Sequence, residues 1–451
     1  MRSRAVTALF LALAVAVIFA VGHAAPSKQA SEPALIYTST PHFESLAWLQ
    51  GGERFPSGAK LILRDGDSRE FAKEVFATAD ANVSFDGTRV LFAGKKSASD
   101  VWQIWEARIA GTDAKQLTKC DGDCVRPFYL PENRIVYAHK TEGRFQLEAL
   151  AIETGVTLRL SSIPGNALPT DVLRDGRILF EAGYPLGEGR TAELYTVYSD
   201  GSGVEAYRCD HGPNRHSGRQ TSSGDILFAS DAGAALFTSA LAHAVDVRTP
   251  GGDLAGEVIE ISEGRYLAAW RPHTAANYSL LEWDTANDTL STWVSAGNAD
   301  AVQPEFVTKR MVPNRHPSGL HDWNGANVLC LNAYTSKLKI ANGSVASVNL
   351  YTRSEGKTVL MGNAGVEGDG SFFLHVPADQ PIQLELLDKS GNTVQREHGW
   401  FWMRRGEQRV CVGCHAGPER SPENAVPQVL VKSTEPADMT GKAMSLAKGG
   451  H

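Results

Sequence analysis

Positive charge is in short supply in this chain. Lysine and arginine number 44 against 51 aspartates and glutamates, a formal net charge of −7. Nucleic-acid surfaces need a concentrated excess of basic side chains, so this balance argues against such a partner. Long apolar runs are also scarce. Beyond Ala25 no segment approaches the roughly 20 apolar residues that span a bilayer as a helix. The G-x-S-x-G elbow, the P-loop, the dinucleotide fingerprint and H-E-x-x-H are all missing, which removes the chemistries those motifs serve. Cysteine is sparse, six in 451 residues, so where each one falls is informative.

Two of the six cysteines form Cys411-Val-Gly-Cys414-His415. Two thiols three apart can add to the two vinyl groups of one porphyrin, and the adjacent imidazole can then lie under the iron. Chance would give this pattern in roughly two of a thousand chains of this composition. A structural zinc site would need a second CxxC or a His pair, and no second pair follows the motif. A thioredoxin-like pair would sit at a strand-to-helix turn, and the flanks carry no βαβ pattern. Haem c, one per chain, is the expected cofactor, with Cys411 and Cys414 as attachment points and His415 as axial ligand. The sixth position decides between an electron carrier and a ligand-binding site. His398, Met403, Met439, Met444, His316 and His321 are the side chains considered for it.

Haem c is attached outside the cytoplasm, and the N-terminus fits export. Arg2 and Arg4 precede an apolar stretch from Ala5 to Val21, and Gly22-His23-Ala24 suits cleavage after Ala24. A periplasmic or otherwise exported protein is expected, with residues 1–24 as signal peptide and no stable membrane span afterwards; the alternative is that the stretch of about 17 residues is retained as a membrane anchor. In such a compartment Cys120 and Cys124, flanking Asp-Gly-Asp, are expected to close a small disulfide. Cys209 and Cys330 remain. Cys209, His211 and His216 gather within one Gly- and Pro-rich loop and form a candidate metal cluster, zinc being the ion considered. The competing reading is a turn between sheets. Cys330 lies in an apolar strand, where burial competes with zinc ligation.

A weak repeat fills the first three hundred residues. Asp86-Gly-Thr-Arg-Val-Leu-Phe92, Glu132-Asn-Arg-Ile-Val-Tyr137, Asp175-Gly-Arg-Ile-Leu-Phe180, Ser223-Gly-Asp-Ile-Leu-Phe228 and Glu263-Gly-Arg-Tyr-Leu-Ala268 each join a turn to a β-rich run. A period in the forties with this grammar marks propeller blades. The copies resemble TolB and WD40-like propeller repeats, and six blades are expected over residues 34–308, with seven as the alternative count. A linker follows over 309–324. Six β-rich runs then predict a β-sandwich-like domain over 325–404, including a strand from Val394 to Trp402 that sets Trp400 and Trp402 on one face. The haem attachment segment covers 405–432, with Val429-Leu-Val431 as a further strand or a cover for the haem edge. Residues 433–451 are expected to form a flexible tail. The fold class is all-β.

Gly365-Val-Glu-Gly-Asp-Gly-Ser-Phe372, Pro377-Ala-Asp-Gln-Pro381, Gly399-Trp-Phe-Trp402 and Arg405-Gly-Glu-Gln-Arg-Val-Cys-Val-Gly-Cys-His415 together resemble the middle domain of the hydrazine synthase alpha subunit group. The resemblance implies a propeller, then a sandwich-like domain running into a haem c site. It also implies that the motif histidine can turn to a zinc while a tyrosine shortly after the motif binds the iron. Ala416 to Ser421 contains no tyrosine, so the resemblance carries over the fold and haem attachment but not hydrazine synthesis. Three functions fit: a monohaem electron-transfer protein with a redox partner, a haem enzyme acting on a small nitrogen or oxygen species, or a TolB-like envelope interaction protein with a structural haem.

Overall fold

The computed structural model describes residues 33–208, 214–240, 243–247, 251–354, 356–414, 420–421 and 423–441. The expected signal segment, Cys209, His211, His415 and Met444 lie outside them. Ala34 onward forms one compact unit.

Six four-stranded antiparallel sheets precede residue 307 among the described residues. The five turn-and-strand repeats supply the second strand of the second to sixth sheets, Arg89–Lys95, Arg134–Thr141, Ile178–Tyr184, Ile226–Ser230 and Arg265–Arg271. These strands read as continuous apolar runs because neighbouring sheets cover both faces. Val90, Leu91 and Phe92 are all fully buried. The innermost strands contact one another in a closed cycle: Ala77–Val83, Cys124–Leu130, Ala167–Val172, His216–Gln220, Asp253–Ser262, Asp300–Phe306, then Ala77–Val83 again. The last of these pairs with Leu35–Thr40, so the end of the repeat completes the first sheet and seals the ring. Outermost strands such as Asp67–Glu70 and Thr157–Arg159 are short, exposed and charged, which discourages pairing with another chain.

Each innermost strand breaks register at least once. At five of these bulges a residue takes positive φ: Asp80, Arg126, Ser217, Gly256 and Gln303. A bulge re-aims its side chain, and here the re-aimed groups are polar. Asp80, Arg126, Gln303, Glu257 and Arg219 surround a cavity of about 20 Å3, room for one water. Arg54 adds a guanidinium from the loop joining the first two strands, 3.6 Å from Glu181 and 4.0 Å from Asp80. Its Nη2 donates to the Ser45 carbonyl at 2.7 Å, and its plane lies 4.9 Å from the Trp48 ring. That loop spans three further sheets: Trp48 packs on Phe145, Phe55 on Trp102, and the Leu49 carbonyl accepts from Asn166.

The segment 309–324 runs along the sheets rather than hanging free. Arg310 donates to Asn82 and Val83, and the Asn314 N–H donates to the Arg174 carbonyl. The domain beyond it is a sandwich of two four-stranded sheets. One orders Gln408–Cys411, Ala326–Cys330, Phe372–Val376 and Ala437–Asp438. The other orders Lys357–Gly365, Ser347–Ser354, Ile382–Leu387 and Thr393–Arg396. Val328, Val348, Leu350, Phe372 and Leu374 are buried between them.

Three expectations need correction. The strand expected from Val394 to Trp402 stops at Arg396, and Phe401 alone bridges back to Ile382. Trp402 leaves for the propeller, where it packs on Phe180 and donates to the Gly201 carbonyl at 2.9 Å. Val429-Leu-Val431, expected as a strand or a cover for the haem edge, is no strand: it lies in the short helix Gln428–Lys432 after Pro427, which has no buried residue. The described part of the expected flexible tail is docked: Ala437–Asp438 pairs with Leu374–His375, because Met439 is 1% exposed in the sandwich core.

Candidate functional site

The CxxC is carried by an edge strand. Gln408–Cys411 pairs in parallel with Asn327–Cys330, placing Cys411 beside Cys330, and the Leu331 N–H donates to the Cys411 carbonyl at 2.9 Å. The chain then turns through Gly413. A Cβ there would lie 2.0 Å from the Thr335 carbonyl oxygen and 2.7 Å from that of Asn332, so the second position between the thiols must be glycine for the loop to pass.

Cys330, Cys411 and Cys414 are free thiols, and all three line one cavity of about 470 Å3. That volume is in the range of cofactor pockets. Burial pushes all three thiols above their ordinary range, Cys414 to about 12. They therefore stay protonated at neutral pH. The three sulfurs do not form a tight cluster. Among the described residues the group gathered within 4.8 Å is Cys120, Cys124 and His139, and its two cysteines form the expected disulfide.

The cavity walls come from both halves of the chain. Val328, Phe372, Leu384, Leu386, Trp400 and Phe401 come from the sandwich, and Tyr184, Leu186, Tyr195 and Val204 from the fourth propeller sheet. Of the lining, Leu186, Tyr195, Val204, Phe372 and Trp400 are buried. The rim holds Glu205, Lys337, Leu338 and His398, all exposed. Tyr195 Oη and Trp400 Nε1 are buried without a hydrogen-bond partner among the described residues.

The structure brings Cys330 into the site; of the loop cluster only His216 is among the described residues. His216 is buried on an innermost propeller strand with Nδ1 3.0 Å from Ser217 Oγ, and burial lowers its basicity. His398 lines the cavity rim; Met403 and Met439 are buried in the sandwich core. His316 stacks on Tyr198 at 3.7 Å, and His321 on Trp323 at 4.8 Å. Tyr195, Leu186 and Val204 gave no functional signal in the sequence. They read as ordinary propeller residues, two hundred positions from the motif.

Residues 331–416 match the hydrazine synthase alpha subunit middle domain. Over 140 residues the chain is 28% identical to the hydrazine synthase subunit alpha of Kuenenia stuttgartiensis, a stretch covering 29% of this chain and 16% of that one. The solved hydrazine synthase of Kuenenia stuttgartiensis superposes with a TM-score of 0.77 at 15% identity, over 89% of this chain and 71% of that chain. TolB from Acinetobacter baumannii aligns with a TM-score of 0.47 at 11% identity, over 61% of this chain and 67% of that one. The chain is a relative of the hydrazine synthase alpha subunit through its middle domain, and its propeller and sandwich together share the fold of hydrazine synthase.

Proposed function

We propose that this chain is an exported monohaem c-type protein, in which Cys411 and Cys414 hold one porphyrin by thioethers and His415 offers the axial imidazole. The observation that carries the reading is the cavity: both motif thiols are unbonded and open onto an apolar space of cofactor size. Attachment is balanced without an oxidant, since each thiol adds its sulfur to one vinyl carbon and its hydrogen to the other. The bound haem supplies one-electron redox chemistry and a coordination position. The chain's own residues do the rest. Val328, Phe372 and Leu386 offer apolar wall to a macrocycle, and Trp400 and Phe401 offer aromatic faces. Lys337 and Arg409 are the cations of the lining suited to the cofactor's carboxylates. Export is supported by the N-terminal charge and hydropathy pattern. Among the described residues no helix is long and apolar enough to cross a membrane.

Electron transfer to a redox partner protein is the first role, with the rim at His398 and Lys337 as the exposed edge. A haem enzyme acting on a small nitrogen or oxygen species is the second, favoured by the buried apolar side chains that line much of the cavity. For zinc, Cys330 belongs to no group of three ligand side chains within 4.8 Å among the described residues, while Cys209 and His211, considered with His216, lie outside those residues. Expression with haem c maturation should give a chain that stains for haem in a denaturing gel. The Cys411→Ala, Cys414→Ala double variant should lose the stain; stain that survives would overturn the reading.

A further inference from the structure

The cavity holds a third thiol that the motif does not use. Cys330 ends the sandwich strand Ala326–Cys330, is 2% exposed, and pairs directly with Cys411 in the parallel ladder. Residues two apart on a strand share a face. Val328 and Cys330 on one strand, and Arg409 and Cys411 on the other, all line the cavity. Both thiols therefore stand on the same face of the sheet. Both pack in the same apolar cluster, and neither is bonded.

Neighbouring strands lie about 4.8 Å apart, and a disulfide bridges Cα separations of about 4.4–6.8 Å. A direct pair on adjacent strands is thus within reach of a bond without moving either strand. Cys414 is placed differently: it follows the ladder, after the turn at Gly413 that is packed on the Asn332 and Thr335 carbonyls. Cys120 and Cys124 are already joined to each other.

We propose that Cys330 and Cys411 form a disulfide in the haem-free chain, and that this bond closes the Cys411 attachment point until it is reduced. The pairing stands on the strand register; the closing of the attachment point rests on the haem reading above. The step is thiol–disulfide exchange with a disulfide oxidant. The Cys411 sulfur attacks the oxidant and releases one thiol, and the Cys330 sulfur then displaces the second. The two protein thiols give up two hydrogens and two electrons, and the oxidant leaves as two thiols. Cys411 then has no S–H to add across a vinyl group.

The test begins with the full haem-free chain, incubated with oxidised glutathione and digested with trypsin without reduction. Peptides 316–337 and 410–420, which carry Cys330 and the motif, should appear joined in the mass spectrum, with fragmentation placing the bond at Cys411. The joined species should persist in Cys414→Ala and vanish in Cys330→Ala. A Cys330 that stays free, or a bond between Cys411 and Cys414 instead, would overturn the pairing. The second measurement is haem staining after expression with haem c maturation in medium made oxidising with cystine. The unaltered chain should lose stain several-fold, and Cys330→Ala should keep it. Equal stain in the two chains would overturn the closing of the attachment point. Absence of covalent haem in every medium would overturn the haem reading beneath it, while the peptide map decides the pairing independently.

Discussion

Arg54 is 1% exposed and sits among carboxylates. Removing one partner of a buried ionic network strands the others, at a cost of about 3–5 kcal/mol. Arg54→Ala should therefore lower unfolding stability by about that amount in urea titration, whereas an exposed pair such as Lys60–Glu70 should contribute under about 1 kcal/mol. Glu257 adds a pH dependence. Burial pushes its carboxyl up, but Arg126, Arg54 and Arg219 pull it down to about 2. The unfolded chain binds that proton first. Its stabilisation is thus present above about pH 4.5, the ordinary glutamate value, and is lost as pH falls toward 2. Asp80, raised by its burial, works in the opposite sense. Glu257→Gln should flatten the loss of stability between pH 4.5 and 2; an unchanged urea-midpoint profile would count against this account. At the motif, Gly413→Ala forces backbone apart. It should cost about 1–3 kcal/mol and reduce covalent haem yield, read by stain intensity per chain.

At the scale of elements, the joints matter most. Trp402 leaves the sandwich to fill the fourth propeller sheet. Truncating a buried tryptophan costs about 3–5 kcal/mol. Trp402→Ala should loosen the sandwich on the propeller and make segment 309–324 a cleavage site in limited proteolysis, while the propeller fragment stays intact. The two-residue strand Ala437–Asp438 is held by Met439 more than by its few ladder bonds. Met439→Ala should release the tail at a cost of about 2 kcal/mol, the low end for buried methionine, seen as faster amide exchange in residues 433–441.

At the scale of the whole molecule, the propeller is closed by a contact between its ends, Asp300–Phe306 on Leu35–Thr40. The five repeats were legible because their middle strands are buried on both faces and so must be apolar. The innermost strands were not. They carry Asp80, Arg126, Glu257 and Gln303, and Pro127, Pro169 and Pro304 interrupt three of them. Polar groups and prolines read as loop, yet prolines are tolerated at a bulged sheet edge, and the polar groups find their partners across the ring, as Arg126 does with Glu257 and the Pro169 carbonyl. The tryptophans after Gly399 invited a strand by their alternation. Two different partners, a cavity and a propeller sheet, pulled them apart.

The sequence by itself determined the CxxCH, the repeat, the β-rich runs and the Cys120–Cys124 disulfide, since each depends on neighbours a few residues away. Only the tertiary structure decided that Cys330 and Tyr195 share a cavity with Cys411 and Cys414, that Met439 is core rather than tail, and that Arg54 is balanced by Glu181 and Asp80. Those outcomes follow from burial and charge compensation between segments far apart in the chain, which local periodicity does not encode.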